Sequence, residues 1–323
     1  MSGSMVSIEK IKQKDIAALS RAITLNESTI IEDNLLVDEL LRDATRSENK
    51  SIIISISGIP GVGKSSFIEV FGTYLHRLGF SIAVFSIDPS SELSHGSILG
   101  DKSRMTELSR LKNVFIRPSP NSNKLGGIGI NTYKNIEIAK LAGFDIILIE
   151  TVGVGQSETL VKQLSDIFIL LQMPSSGDEL QGIKKGIMEM ADFFIIHKAD
   201  GDLKIAAEKS KKEIESALHL TRDEDMTGRI FTFSSIDKIG LELIWTSVLT
   251  YFESQKEKGE VALTRKNQEK YWAEESFFQL LQKHYAHKFK GELKVLLDKI
   301  DNGVFVGASD MLSIFSKSNG PNG

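Results

Sequence analysis

Cysteine is missing altogether from the 323 residues. Its absence excludes disulfides, thiolate zinc sites, iron–sulfur clusters and a cysteine nucleophile together, so any metal must be held by oxygen or imidazole. Long apolar runs are missing too. Ile146–Ile149 and Ile167–Leu171 are strand-sized, far below the roughly 18 residues a spanning helix needs, and no membrane association is expected. An excess of one charge is also lacking: 39 Lys and Arg against 43 Asp and Glu leave a formal −4. That balance offers no dedicated surface for nucleic acid. Met1 to Met5 lack the apolar core of a signal peptide; residues 1–4 read as an expression remnant before a start at Met5, and the cytoplasm is the expected address.

What is present is an apolar share of 41% with 25% charged residues, ordinary for a chain that buries a core. The length fits one large domain with additions, or two domains. In residues 1–48, Ile8, Ile11, Ile16, Leu19 and Ile23, then Leu35, Leu36, Leu40 and Leu41, recur near helical spacing and predict two amphipathic helices. Over 49–254, apolar runs at 51–57, 82–87, 114–116, 145–149, 167–171, 193–196 and 230–233 alternate with stretches long enough for crossover helices. Continuous apolar strands alternating with helices predict an α/β fold, a mostly parallel sheet covered on both faces, with ligands beyond the carboxyl ends of its strands. Residues 255–316 read as helices with an apolar stripe, and 317–323 as a disordered tail.

The sharpest motif runs Gly58-Ile59-Pro60-Gly61-Val62-Gly63-Lys64-Ser65, followed by Ser66. It matches the P-loop pattern G-x-x-x-x-G-K-[ST] in the strand–loop–helix setting that pattern requires. Glycines let successive N–H groups face one concavity, and the helix N-terminus adds partial positive charge, so the loop suits phosphate oxygens. Lys64 would reach the β- and γ-phosphates and Ser65 would ligate Mg²⁺. Asp88, Asp101 and Glu150 each follow a strand or lie in a nearby loop, and together with Ser65 form a candidate oxygen shell for that ion. Glu150-Thr151-Val152-Gly153 has the form of an acid-x-x-Gly γ-phosphate sensor, in which the Gly153 N–H responds to the phosphate.

His197-Lys198-Ala199-Asp200 follows the run FFII, where a G protein carries Asn-Lys-x-Asp. The Asp200 carboxylate only accepts hydrogen bonds, and guanine offers it the N1–H and N2–H₂ pair, which adenine does not. The Lys198 stem would lie along the base, and Ser234-Ser235-Ile236 fits a loop whose backbone meets guanine O6. GTP and GDP are therefore expected over adenine nucleotides. His197 departs from the pattern, and its different reach predicts weaker guanine binding.

Between these elements stand Ile87-Asp88-Pro89-Ser90-Ser91, Gly96 to Met105, Ile116 to Pro120, Glu150 to Glu158 and Gly177 to Ile187. These blocks closely resemble the MeaB/ArgK branch of the G3E P-loop GTPases, relatives of the human methylmalonic aciduria type A protein. The resemblance implies a slow, partner-stimulated GTPase that couples nucleotide state to adenosylcobalamin loading, protection or reactivation of a cobalamin-dependent acyl-CoA mutase, chiefly methylmalonyl-CoA mutase. It implies a homodimer joined through the C-terminal helices. It also places Asp101 and Arg104 on switch I, Glu150 to Gln156 on switch II, and Asp178, Glu179, Gln181, Lys184 and Lys185 on a third, partner-facing switch. Lys64, Asp101, Glu150, Gly153 and Lys185 are the expected catalytic residues. Val154 follows Gly153 where a Ras-type protein has glutamine, in keeping with slow unaided turnover.

Two alternatives belong to other classes. An ATPase or kinase of a lysine/arginine/ornithine transport system would prefer ATP. A nickel-inserting relative would carry Cys or His clusters, whereas this chain has six scattered histidines and no cysteine.

Overall fold

A computed structural model describes residues 7–28, 30–44, 50–87, 105–119, 125–151, 158–174, 185–221 and 226–318. The chain divides into two compact units, residues 1–271 and 272–323.

The first unit is built on a seven-stranded sheet in the order β3-β2-β4-β1-β5-β6-β7. Its strands are β1 (Ile52–Gly58), β2 (Ile82–Ile87), β3 (Val114–Ser119), β4 (Ile146–Thr151), β5 (Ile167–Gln172), β6 (Phe193–His197) and β7 (Ile230–Phe233). Every pairing is parallel, with Ile56 of β1 opposite Glu150 of β4, and Gly58 opposite Leu171 of β5. Parallel strands need helical crossovers, which bury both sheet faces. That burial explains why β1, β4 and β5 are rich in isoleucine and leucine and buried at every position. The expected α/β architecture and its seven strands are therefore present.

Alternate strand residues feed two cores. On one face Ile54, Ile169 and Ile195 pack with Phe67 and Phe71 of α4 (Lys64–Arg77) and with Trp245. Phe67 stacks on Phe71 at 5.2 Å and meets Phe233 edge-on at 5.4 Å. On the other face Phe168, Leu170, Phe194 and Ile196 pack with Val161, Ile187 and Ile214. The helices completing this unit include α5 (Leu125–Leu141), α6 (Glu158–Lys162), α7 (Lys185–Met190), α8 (Lys204–Thr221) and α9 (Leu241–Glu257).

The N-terminal region differs from the two helices expected. It forms three: α1 (Ile8–Lys12), α2 (Ile16–Asn26) and α3 (Ile31–Ala44). Lys14 takes a left-handed φ of 58°, and the Asp15 carboxylate caps α2 by accepting from Ala18 N at 2.7 Å, so the chain stops and restarts there. The break rotates the apolar stripe. Ile11, Leu19 and Ile23 are buried, whereas Ile16, Leu35 and Leu36 are exposed. Polar bonds fasten these helices to the sheet domain. Asn26 Nδ2 donates to Asn131 O and Asn135 Oδ1, both at 2.8 Å, and Glu27 pairs with Arg117 at 2.6 Å.

After α9 come α10 (Glu260–Lys288), α11 (Lys290–Asp301) and α12 (Ala308–Ser318). Among the described residues no helix is long and apolar enough to cross a membrane. The first turns of α10 are anchored within the first unit: Arg265 meets both oxygens of Asp166 at 2.7 Å and donates to Ser51 O at 2.6 Å. The Asp166 side chain is only 1% exposed, so removing the guanidinium leaves a carboxylate buried without its counter-charge. Arg265→Met is expected to lower stability by about 3 kcal/mol in urea unfolding; a loss below about 0.5 kcal/mol, the size of a surface substitution, would show that the pair carries little.

Candidate nucleotide site

The candidate residues converge because parallel strands end on the same side. Gly58 closes β1, Glu150 lies one residue from the end of β4, His197 closes β6, and Ser234 follows β7. Gly58 has a φ of 150°, and a Cβ there would stand 2.6 Å from the Leu171 carbonyl oxygen. Only glycine lets the chain turn off the central strand while pressed against β5. Ile59, Pro60 and Gly61 then form the open rim of the loop, Val62 is buried, and Gly63 precedes Lys64, the first residue of α4.

Lys64 Nζ donates to Gly58 O at 2.8 Å and Ile59 O at 3.2 Å, so its ammonium is held across the loop mouth. Burial pushes its pKa down, and the Glu150 carboxylate opposes that shift. Ser65 Oγ donates to Glu150 Oε1 at 2.6 Å, and Ser86 Oγ reaches Glu150 Oε2 at 3.4 Å. A buried carboxylate, a hydroxyl and a lysine thus share the space beneath the phosphate loop. Ser66, one residue further along α4, is exposed.

On the β6–β7 side, Asp200 Oδ2 accepts from Ser234 Oγ at 2.6 Å, and Ser234 Oγ in turn accepts from Ile236 N and Asp237 N, both at 3.1 Å. This network orients the Asp200 carboxylate and rounds off the Ser234–Ile236 loop. Lys198, at a φ of 60°, sends Nζ to Gly61 O at 2.7 Å. His197 is buried at 2% exposure, face to face with Phe233. Its Nδ1 lies 2.6 Å from Val62 O and its Nε2 lies 2.7 Å from Ser235 Oγ.

Several contributors are not evident from motif reading. Phe233 supports the His197 ring and Ser86 approaches Glu150, while Ser235, expected to meet the base through its backbone, engages that ring with its side chain. Each lies at a position whose residue type is unremarkable; only the parallel register signals that these strand ends meet. Asp88, Asp101, Arg104, Gly153, Asp178, Glu179, Gln181 and Lys184 lie outside the described residues. Of Lys185, only the backbone position opening α7 is described. Among the described residues no group of three His, Asp or Glu side chains forms a metal cluster.

A second polar centre lies at the opposite edge, beside a cavity of about 390 Å³ lined by Asp166, Asp192 and Tyr251. Asp192 accepts from Phe168 N at 2.9 Å and from the Tyr251 hydroxyl at 3.1 Å. Burial raises the pKa of both, Tyr251 to about 12. Its polar groups satisfy one another, which is the behaviour of a structural joint.

A phosphate loop leaving the central strand of an all-parallel sheet, with a lysine–aspartate element following β6, two strands away, defines a P-loop GTPase. A family model described as "Methylmalonyl Co-A mutase-associated GTPase MeaB" matches residues 19–290, and the chain belongs to that family, in the MeaB/ArgK branch of the G3E GTPases. It is 40% identical to "GTPase ArgK" of Escherichia coli strain K12, with 82% of this chain and 81% of that protein covered. It is 42% identical to the "Methylmalonic aciduria type A homolog, mitochondrial" of Mus musculus, with 85% and 68% covered. The crystal structure of "LAO/AO transport system kinase" superposes with a TM-score of 0.74 at 29% identity over 99% of each chain. GTP hydrolysis is accordingly the activity of the chain.

Burial holds the His197 imidazole below its ordinary pKa; the Val62 bond opposes that shift, Lys198 reinforces it and Asp200 opposes it. The unfolded chain takes up a proton near the ordinary value of 6.5, while the folded protein does so only at lower pH. Below about pH 6.5 the unfolded state therefore binds more protons, and stability falls with falling pH. Urea midpoints measured from about pH 7 down to about 5.5 should decline in the parent and decline less in His197→Asn. Equal slopes would show that His197 is not held neutral.

Proposed function

We propose that GTP and Mg²⁺ occupy this strand-end site, with the phosphates in the Gly58–Ser66 loop and guanine against Lys198, Asp200 and the Ser234–Ile236 loop. The observation that carries this reading is geometric: the phosphate loop, the Ser65–Glu150 pair and the Asp200–Ser234 pair open on one sheet edge. Ser65 and Glu150 present hydroxyl and carboxylate oxygens, the donor types a hard divalent cation takes. They fit Mg²⁺, which Asp88 and Asp101 would help to hold. When bound, that ion neutralises charge on the phosphate oxygens.

Lys64 would exchange its two carbonyl partners for phosphate oxygens and take up the charge that develops as water attacks the γ-phosphate in line and the bond to the β-phosphate oxygen breaks. Glu150 orients the Ser65 hydroxyl. Asp101, Gly153 and the third-switch residues Asp178, Glu179, Gln181, Lys184 and Lys185 would report the nucleotide state outward, with Lys185 adding charge when a partner orders it.

The nucleotide state then gates loading, protection or reactivation of an adenosylcobalamin-dependent acyl-CoA mutase, methylmalonyl-CoA mutase first among them. The family match over residues 19–290 supports this partner class. A homodimer formed through 255–316 is supported by exposed Phe277, Phe278 and Leu280 on α10 and Leu293, Leu297 and Ile300 on α11, since apolar faces of this kind mark association surfaces. The transport-kinase alternative is disfavoured by relatives at 40% and 42% identity, one named a GTPase and the other a methylmalonic aciduria type A homolog.

Hydrolysis by the full chain should rise about tenfold or more when methylmalonyl-CoA mutase from the same organism is added. An unchanged rate would count against the gating role and leave the GTPase assignment standing. Separately, Asp200→Asn should weaken GTP about tenfold or more and improve xanthosine triphosphate, whose O2 carbonyl accepts from the new amide. Unaltered preference would remove Asp200 from base recognition.

A further inference from the structure

We propose that His197 is a positioning residue, a two-ended clamp that sets the separation of the phosphate loop and the Ser234–Ile236 loop, and that it makes no contact with the base itself. The inference deepens the GTP reading above and rests on it. A carbonyl oxygen cannot donate, so the 2.6 Å contact with Val62 O requires the hydrogen on Nδ1. In the neutral ring Nε2 is then an acceptor, and the Ser235 hydroxyl at 2.7 Å donates to it. Both ring nitrogens are thereby committed, one to each loop.

The ring has little freedom to turn away. Phe233 lies parallel to it at 5.7 Å between centroids, with 15° between the planes. On the loop side, a Cβ on Gly63 would stand 2.5 Å from both Cε1 and Nδ1 of the imidazole. Gly63, at a φ of 99°, therefore serves twice: it lets the loop turn into α4 and leaves room for the histidine. Lys198 also ties the end of β6 to the phosphate loop, donating to Gly61 O at 2.7 Å, so adjacent residues grip successive parts of that loop. Guanine N7 is an acceptor, and no ring nitrogen of His197 remains to donate to it.

The test compares GTP with 7-deaza-GTP, which lacks the N7 acceptor, in the full chain with Mg²⁺. The parent should bind both within about threefold. His197→Phe keeps an aromatic ring on Phe233 but loses both bonds, and should weaken the two nucleotides equally, by about tenfold. His197→Asn, whose amide both donates and accepts, should recover most of that loss. If His197→Phe fails to fold by circular dichroism, Ser235→Ala takes its place, with a smaller but again equal loss on both nucleotides. A parent that discriminates tenfold or more between them, with discrimination disappearing in the variant, would overturn the inference. So would a variant that binds GTP as tightly as the parent. A parent that binds neither nucleotide would instead overturn the GTP reading.

Discussion

The carboxyl end of β1 is the point on which the rest of the site depends. This strand is hydrogen-bonded on both edges, to β4 and to β5, so its position is set by two neighbours and cannot drift. At Gly58 the backbone meets the Leu171 carbonyl too closely for any side chain. The chain must turn there and enter α4 at Lys64, which sets the start of that helix at the carboxyl end of β1, the arrangement that suits an anion. Because the sheet is wholly parallel, β4, β6 and β7 deliver Glu150, His197 and Ser234 to the same edge without further instruction.

Two pairings convert that convergence into a chemical site. Beneath the loop, Glu150 accepts from Ser65 while opposing the downward pull of burial on the Lys64 pKa. A buried ammonium and carboxylate in the low-dielectric interior each need compensation, and each finds part of it in the other. On the β6–β7 side, Ser234 fixes the Asp200 carboxylate with a 2.6 Å bond while its oxygen accepts two backbone N–H groups. His197 joins the two halves, which makes the site one mechanical unit reaching from the phosphate loop to the β7 loop.

Much of this was legible in the residues alone. All seven strands follow from apolar runs, because a parallel sheet leaves no polar face to break them. The P-loop and the Lys198–Asp200 element are readable because their chemistry demands particular residue types at fixed spacing. The break between α1 and α2 is not visible in hydrophobic spacing for a local reason: the left-handed Lys14 and the Asp15 cap end one helix and start the next without disturbing the periodicity across 8–23. His197 was legible only as a departure from pattern. Its partnership with Val62, Ser235 and Phe233 joins residues far apart in the chain and depends on strand register, which no single motif encodes. The same holds for Arg265 and Asp166, nearly a hundred positions apart and linked only through the fold.

On the proposed reading, a guanine nucleotide would be selected at this sheet edge by Asp200, whose carboxylate is oriented by Ser234. Calorimetric titration of the full chain with GTP and with ATP, each with Mg²⁺, tests it most directly. The account predicts saturable GTP binding and ATP binding weaker by about a hundredfold, since adenine leaves the carboxylate unpaired. Equal affinity for the two nucleotides, or tighter binding of ATP, would contradict it.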